Sequence, residues 1–404
     1  MTDCCIIGGG VIGLSIAREL AGRGLAVRLL AREGRRETAS WAAAGIFPPT
    51  PSYPGWSAGE AFTAWSDRLH QEWSRSLCEE TGIDNELRRC GGLHLAGSEA
   101  GLSRLAATAD EWRRKTASCE SLDAREICGI EPAFTDAVSR GAILGGLLLP
   151  DEMAMRPPRH LEALAESCRH RGVEITADEV QGLEVRDGRI EGVQTRGSGT
   201  VRAASYCLAA GAWSGALASA VGLPLETRPI RGQILLLRLP RQILSRVVNA
   251  GLDYFVPRDD GRLLVGSTIE DAGFDASTTE AAIDRLMGVA RLLLGDLAEA
   301  AVEQAWAGLR PGSVDGLPVI GRIPTVANGF VAAGHFRAGL HQSTGTAVLM
   351  ADLIAGGSSL PSATLAFDAA AFSPERRPRP IRDDGEPARD SVADYLARTE
   401  QVWL

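Results

Sequence analysis

The sequence predicts an α/β protein of two domains, in which one domain is interrupted twice by the other. A pattern of strand, glycine-rich turn and helix occurs at residues 3–32 and again at 328–356, which is typical of an α/β unit with a parallel sheet. Between them lie two strand-rich regions with Asp-Gly turns at 187–188 and 260–261, a signal of antiparallel hairpins. We therefore expect a Rossmann-like domain interrupted by a mostly antiparallel β domain with flanking helices.

The domain boundaries are placed where the pattern changes. Residues 1–86, 141–222 and 307–372 are predicted to form the Rossmann-like domain, and residues 87–140 and 223–306 the antiparallel domain. A binding site is expected where the two domains meet. Residues 373–404, rich in Pro, Arg, Asp and Glu, are expected to form a loosely attached polar tail.

Composition excludes several classes of protein. The net charge of −9 over 404 residues argues against a nucleic-acid or anionic-membrane partner. The longest apolar run, at residues 142–150, is far shorter than the roughly 20 residues of a transmembrane helix. The first strand begins at about Asp3 and leaves no room for a secretory leader, so we expect a cytoplasmic protein.

The cysteines predict neither disulfides nor a metal site. The chain has eight cysteines and six histidines, without a C-x-x-C pair or a spacing typical of metal ligands. We interpret the cysteines as reduced thiols that mostly fill the core.

The first unit contains a glycine motif. Residues 4–7, 11–21 and 25–30 are predicted as strand, helix and strand. Gly8, Gly10 and Gly13 fit the G-x-G-x-x-G pattern of dinucleotide sites. The first glycine permits the turn, the second lets a pyrophosphate approach the backbone, and the third lets helix and strand pack closely. The helix N-terminus then offers amide groups to the phosphates.

The acidic residue that binds the adenosine ribose in such sites is missing. It is expected at the end of the second strand, where the sequence has Ala31, Arg32 and Glu33. Either Glu33 takes its place after a small shift, or backbone and water hold the ribose. An arginine here would also suit the 2′-phosphate of NADP, so the motif leaves the identity of the dinucleotide open.

Further elements follow from periodicity and turn residues. Helices are predicted at 67–80, 99–117 and 157–171, and strands at 91–97, 205–209, 230–239 and 254–268. In the last α/β unit, a helix is predicted to begin after Gly339.

One arginine lies in an otherwise apolar stretch. Arg310 stands between Leu309 and Pro311 in AGLRPGSVDGLPVIG, and a desolvated guanidinium needs an anionic partner. Asp315 is one candidate partner, and a side chain that reaches solvent is another possibility. A bound anionic ligand is the third.

Four stretches together resemble the D-amino-acid oxidase superfamily of FAD enzymes, and most closely its glycine oxidase branch. They are GGGVIG at 8–13, ASWAAAGIF at 39–47, AGLRPGSVDGLPVIG at 307–321 and GHFRAG at 334–339. Their order and spacing extend the resemblance over nearly the whole chain up to about residue 372. The resemblance implies that the Rossmann-like domain binds FAD and that the antiparallel domain binds substrate.

The resemblance also implies which residues contact FAD. Small residues at 42–46 would pass the flavin ring, Val180 would meet the adenine, and the helix after Gly339 would direct its N-terminus at the reduced flavin. The full set is Gly8, Gly10, Val11, Ile12, Gly13, Arg32, Ser40, Ala43, Ala44, Gly45, Val180, Gly211, Trp213, Gly334, Arg337, Ala338, Gly339 and Leu340.

Three residues are implied at the substrate. Arg310 matches the arginine that grips the substrate carboxylate in a bidentate fork, and Tyr254 the tyrosine whose hydroxyl reaches that carboxylate. Arg337 matches a second arginine of the site, while His335 and His341 are expected to be structural. Hydride transfer from a small amino acid to flavin N5 would give an imine, and then an oxo acid, ammonia and hydrogen peroxide.

Departures from the family pattern bear on the identity of the substrate and on how FAD is attached. Ile46, Phe47 and the prolines after them change the pocket mouth, so glycine as the substrate is less secure than the chemistry. No cysteine matches the covalent flavin anchor of related enzymes, so FAD is expected to be noncovalent. The family implies O2 as oxidant and a homo-oligomer. The alternatives are a D-amino-acid dehydrogenase that passes electrons to a quinone or carrier, and a flavin-binding subunit without catalysis.

Overall fold

A computed structural model of the chain describes residues 1–32, 38–295, 297, 300–356 and 367–377. The helices in these residues are α1 (Val11–Gly22), α2 (Ala39–Ala42), α3 (Ala58–Thr81), α4 (Glu99–Arg114), α5 (Ala124–Ile130), α6 (Thr135–Ser139), α7 (Pro157–His170), α8 (Ser214–Ser219), α9 (Glu280–Leu294) and α10 (Ser343–Ala355). In the described part of the chain, no helix is both long and apolar enough to cross a membrane.

The strands, in chain order, are β1 (Cys4–Ile7), β2 (Val27–Ala31), β3 (Ile46–Phe47), β4 (Arg88–Arg89), β5 (Gly92–Ala96), β6 (Glu120–Asp123), β7 (Gly145–Leu149), β8 (Met153–Ala154), β9 (Glu174–Ala177), β10 (Val180–Arg186), β11 (Arg189–Thr195), β12 (Gly199–Val201), β13 (Ser205–Leu208), β14 (Arg228–Arg238), β15 (Val247–Ala250), β16 (Asp253–Pro257), β17 (Arg262–Gly266), β18 (Ala301–Gly312), β19 (Val319–Arg322) and β20 (Gly329–Ala333).

A six-stranded sheet carries the Rossmann-like part, with the strand order β19-β20-β13-β1-β2-β9. Strand β1 lies parallel to β2 and β13, and only the edge strand β19 runs antiparallel to its neighbour. Helix α1 packs against α7 and α10 on the apolar core that covers this sheet. The predicted strand, helix and parallel strand at the N-terminus are confirmed.

An eight-stranded sheet forms the second layer, in the order β18-β14-β17-β16-β15-β5-β7-β6. It is antiparallel except where β15 pairs with β5. Helix α9, which the sequence reasoning did not identify, contacts β14 and β17 and contributes Leu286 and Leu293 to the core beneath the sheet. The predicted α/β fold with a mostly antiparallel second sheet is confirmed.

Two predicted boundaries fall within or beside strands of the eight-stranded sheet. Strand β7 pairs with β5 and β6, although the prediction assigned 141–222 to the Rossmann-like domain. The boundary at 307 lies inside β18, which stays paired with β14 as far as Gly312. At residues 145–149 and at 307–312, the strands stay hydrogen-bonded to the eight-stranded sheet although the sequence pattern changes there. The division into domains itself stays a prediction.

The predicted hairpins form at the Asp-Gly turns. Asp187 and Gly188 adopt positive φ angles of 47° and 68°, as a two-residue turn between twisted antiparallel strands requires. Strands β10 and β11 pair on either side of this turn. The turn at 260–261 joins β16 to β17, and here only the glycine, Gly261, has a positive φ, of 81°.

The start of the expected polar tail is bound to the fold. Arg376 donates from Nε and Nη2 to the two carboxylate oxygens of Asp315 at 2.9 and 2.8 Å, and also to Leu317 O at 2.9 Å. The expectation of loose attachment is therefore wrong for residues 373–377. Residues 378–404 lie outside the described part.

Candidate active site

A cavity of about 900 Å³ lies between the carboxyl ends of the parallel strands and one face of the eight-stranded sheet. Its walls include Ile7 and Ala31 from strands β1 and β2, and Tyr254 and Arg310 from strands β16 and β18. Ligands of open α/β sheets bind at this edge, because loops and helix N-termini meet there.

The glycine turn after β1 forms one end of the cavity. Gly8 has φ +124°, and a Cβ on it would collide with the backbone of Ala209. Gly13 lies so close to Gly8 O that no Cβ fits there. The N–H of Val11, at the start of α1, donates to Ser40 Oγ at 2.9 Å. The turn and the helix start thus form a narrow cradle of backbone that suits a pyrophosphate.

The end of β2 lies beside this cradle. Ala31 lines the cavity. Its Cβ is so close to Gly9 that a Cβ added to the glycine would lie 2.5 Å from it. The guanidinium of Arg32 lies 4.8 Å from the ring centroid of Trp213, in cation–π contact. Glu33, one of the expected ribose ligands, lies outside the described residues.

The small residues at 42–45 are held in place by neighbouring backbone and side chains. Gly45 has φ +78°, and a Cβ on it would collide with Met155 O. Arg258, which is buried, donates from Nη2 to Ala44 O and from Nη1 to Met155 O, each at 2.9 Å. Burial lowers the pKa of Arg258 to about 10. Ala43, Ala44 and Gly45 therefore form both a packing seam and a wall of the cavity.

The turn between β20 and α10 forms another wall beside the end of β18, where Phe336 N–H donates to Pro311 O at 2.9 Å. Helix α10 begins at Ser343 and not directly after Gly339, because residues 339–342 form a turn in which Gln342 N–H donates to Ala338 O at 2.8 Å. His335 lines the cavity and shares a hydrogen bond of 2.9 Å with Thr346 Oγ1. Burial lowers the pKa of His335 to about 3, so its ring is neutral at physiological pH.

A buried polar group supports this turn from behind. His341 Nε2 lies 3.1 Å from Asp67 Oδ1, and Thr50 donates to Asp67 Oδ2 at 2.6 Å. His70 donates from Nε2 to the carbonyls of Leu340 and His341. Burial acts to raise the pKa of Asp67, but the hydrogen bond and charge of His341 outweigh it and lower the pKa.

The sheet face opposite the small residues carries Tyr254 and Arg310. A Cβ on Gly266 would come to 2.6 Å from Tyr254 Oη, and a Cβ on Gly232 would collide with the Arg310 guanidinium. The two side chains can therefore lie flat on the sheet only because β17 and β14 have glycine there.

Polar groups hold the guanidinium of Arg310 at the cavity. Nη2 donates to Ser267 Oγ at 2.9 Å, and Nη1 donates to Thr268 O at 3.2 Å and to Arg231 O at 3.4 Å. All three acceptors are uncharged. Asp315, which the sequence offered as a partner, instead forms an ion pair with Arg376.

Most of the predicted site residues line this one cavity. They are Arg310, Tyr254, Arg337, Gly8, Gly10, Val11, Ile12, Arg32, Ser40, Ala43, Ala44, Gly45, Val180, Gly211, Trp213, Ala338, Gly339 and Leu340. Gly13 and Gly334 are not among the lining residues; Gly13 packs on Gly8, and Gly334 packs on Ser313 with φ +75°. The roles of these residues remain predictions.

Several residues at the cavity were not predicted from the sequence. Gly232 and Asn249 line the cavity, and Arg258 holds the small-residue segment from outside it. His335 and His341, which were expected to be structural, also line the cavity. A lone glycine or asparagine in a strand carries little signal in one sequence. Arg258, in YFVPRDDG, could have been noticed as a charge at the end of an apolar strand.

Known proteins resemble this chain over most of its length. The family of FAD dependent oxidoreductases, DAO, matches residues 3–353. Glycine oxidase from Pseudomonas aeruginosa is 36% identical over 87% of this chain and 94% of the relative. The hydrogen cyanide synthase subunit HcnC of the same organism is 31% identical over 92% and 97%.

Solved structures agree with the sequence relatives. The crystal structure of glycine oxidase from Geobacillus kaustophilus covers 93% of this chain and 98% of that chain, with a TM-score of 0.84 and 31% identity. The narrow backbone cradle at Gly8 and the helix start beside it suit the pyrophosphate of FAD. The chain therefore belongs to the family of FAD dependent oxidoreductases.

Proposed function

We propose that this protein oxidises a small amino acid, glycine or a close relative of it, with FAD as its cofactor. The observation that carries the proposal is the convergence of Tyr254 and Arg310 on one face of the cavity, over Gly266 and Gly232. Relatives named glycine oxidase, 36% and 34% identical, support the same substrate class.

Arg310 binds the substrate carboxylate in this proposal. Its guanidinium has a planar fork of donors that matches a carboxylate, which lysine cannot copy. Ser267 Oγ and two backbone carbonyls orient the fork, and the Tyr254 hydroxyl donates to the same carboxylate. Arg337, which also lines the cavity, shapes the pocket or pairs with a further carboxylate.

The other walls position the reacting carbon. When bound, FAD accepts the hydride from the substrate α-carbon, and O2 then reoxidises it to give hydrogen peroxide. Ala43, Ala44 and Gly45 leave room for the substrate because they carry little or no side chain. The neutral ring of His335, in the turn between β20 and α10, adds no charge to the cavity. The imino acid leaves and is hydrolysed to an oxo acid and ammonia. Positioning of the substrate in the cavity supplies much of the rate of the hydride transfer.

Noncovalent FAD binding and a homo-oligomeric assembly are also part of the proposal. All eight cysteines lie in the described part of the chain, and none of them lines the cavity. Burial raises the pKa of Cys4 to about 12, which keeps this thiol protonated and unreactive. Acid precipitation of the purified protein is expected to leave FAD in the supernatant.

A panel of amino acids tests the proposed function. Hydrogen peroxide release with glycine, sarcosine and the enantiomers of alanine, serine and proline is expected for at least one small amino acid. Flavin reduction without oxygen distinguishes an enzyme from a flavin-binding subunit. Slow reoxidation of the reduced flavin by O2 would instead identify a dehydrogenase, and no reduction by any amino acid would contradict the proposal.

A further inference from the structure

A row of polar side chains continues along the sheet beyond Tyr254. Asn249 on β15 lies directly opposite Tyr254 on β16, and opposite His94 on the other neighbouring strand, β5. Directly opposed residues of paired strands direct their side chains to the same face. Both Asn249 and Tyr254 line the cavity, so Asn249 is the next polar group after Tyr254 on the cavity wall.

A buried carboxylate lies behind this asparagine. Glu152 is 1% exposed. Its Oε1 accepts a hydrogen bond from Asn249 Nδ2 at 3.0 Å, and its Oε2 lies 3.1 Å from His94 Nε2. Gly92 makes this arrangement possible, because a Cβ there would lie within 2.5 Å of Oε2. Because Asn249 Nδ2 donates to Oε1, the carboxylate fixes which end of the asparagine amide faces it.

We infer that Asn249 is a specificity-determining residue, whose Oδ1 accepts a hydrogen bond from a hydroxyl or amide group on the substrate side chain. Its Nδ2 is engaged by Glu152, and the carbonyl oxygen is at the other end of the planar amide. Glu152 is the positioning residue that holds this orientation. The inference rests on the proposed function for the identity of the substrate.

The position of Asn249 indicates which part of the substrate it meets. The Tyr254 phenol lies over Gly266 on β17, which is on the side away from β15. The carboxylate bound by Tyr254 and Arg310 therefore lies on that side. Asn249 meets atoms farther along the substrate, so the substrate class is a small amino acid with a hydrogen-bond donor beyond its α-carbon.

Pairs of amino acids with equal numbers of heavy atoms test this. Serine is compared with 2-aminobutyrate, and homoserine with norvaline, each as both enantiomers. Asn249→Leu is expected to lower the ratio of kcat/KM for the hydroxyl member to kcat/KM for the hydrocarbon member by about tenfold, mainly through KM. Equal effects on both members would overturn the inference.

A matched pair of buried carboxylates separates positioning from general stability. Glu152→Gln is expected to reduce the preference for the hydroxyl member, because a glutamine can turn an N–H towards Asn249 and reverse its amide. Glu131 is similarly buried, at 2% exposure, and accepts from Ser245 and Arg246 outside the cavity. Glu131→Gln is expected to lower stability without changing the preference. If Glu152→Gln and Glu131→Gln changed the preference for the hydroxyl member alike, Glu152 would have no positioning role.

Ligand binding keeps this inference distinct from the proposed function. Calorimetry on the holoenzyme compares 3-hydroxypropionate with butyrate, which have equal numbers of heavy atoms and are not oxidised as amines. The hydroxy acid is expected to bind more tightly, and Asn249→Leu to remove that advantage. If no amino acid is oxidised, the proposed function fails and this comparison still decides the role of Asn249. If the advantage is absent, the inference fails and the proposed function stands.

Discussion

At the residue scale, Arg310 is held at the cavity by hydrogen bonds to Ser267 Oγ and to the backbone carbonyls of Thr268 and Arg231. A binding role for Arg310 was predictable from the sequence, because a guanidinium in the apolar stretch between Leu309 and Pro311 needs a partner for its charge. Its acceptors Ser267 and Thr268 were not, because they follow β17 and come to Arg310 only through the order of strands in the sheet. Such contacts depend on tertiary structure, which a single sequence does not contain.

Replacing Arg310 tests the carboxylate role. Arg310→Ala is expected to cost about 3 to 5 kcal/mol in transition-state binding, which is roughly two to three and a half orders of magnitude in kcat/KM. Arg310→Lys is expected to recover only part of this, because an ammonium lacks the planar fork. Steady-state kinetics measure both, and the melting temperature is expected to change little.

Two controls belong to this experiment. Arg376→Ala leaves Asp315 without its ion pair, so it is expected to lower stability more than activity. An amine without a carboxylate is expected to be a poor substrate and to lose little further in Arg310→Ala. An equal loss for the amine and the amino acid would refute a carboxylate contact.

At the scale of elements, periodicity predicted strands and helices well where one face of the element is apolar. Helix α1 was expected at 11–21 and is found at Val11–Gly22. Helix α10 was expected to begin directly after Gly339 and begins three residues later, because residues 339–342 form a turn before it. Helix α9 was not identified.

Two glycines of α1 make a matched test of the cradle. Gly13→Ala is expected to destabilise the protein by about 1 to 3 kcal/mol and to weaken FAD retention, because its Cβ would collide with Gly8 O. At Gly22 the Cβ would meet only the end of the flexible Arg171 side chain, so Gly22→Ala is expected to be nearly neutral. Denaturant unfolding and FAD content after gel filtration measure both. Similar losses in the two variants would show that helix α1, and not the cradle, is responsible.

At the scale of the whole molecule, the sequence predicted the two kinds of sheet but not where one ends. The two sheets were expected from the units of strand, glycine turn and helix and from the Asp-Gly turns between strands. The continuation of the second sheet through β7 and β18 depends on backbone pairing, which residues of almost any type can form. The cavity between the layers was predictable as a place, because binding sites lie where two domains meet and at the carboxyl edge of a parallel sheet. Eighteen of its lining residues were named beforehand, most of them as what the family resemblance implies.

Buried histidines predict how stability depends on pH. Burial lowers the pKa of His70 to about 4, and the pKa of His160 and of His335 to about 3. Below pH 6.5 the unfolded chain therefore binds protons that the folded protein does not, so stability falls as the pH falls. Between pH 7.5 and 5.5, each of these histidines is expected to contribute a loss of about 1.4 kcal/mol.

Single variants separate this effect from acid denaturation in general. Denaturant unfolding at the two pH values is expected to show a smaller loss of stability in His160→Gln than in the unaltered protein. His170, with a side chain 47% exposed beside Glu166, is the control, and His170→Gln is expected to leave the loss unchanged. An identical pH dependence in the two variants would mean that His160 is protonated in the fold.

The glycines beneath Tyr254 and Arg310 make the backbone itself part of the cavity wall. Gly232 lies inside β14 and Gly266 ends β17, and each is paired with a neighbouring strand. Because backbone pairing does not depend on the side chain, a methyl group at either position is compatible with the sheet but not with the present positions of the Arg310 guanidinium or the Tyr254 ring. The shape of this wall is therefore set by atoms that are missing as much as by the side chains that are present.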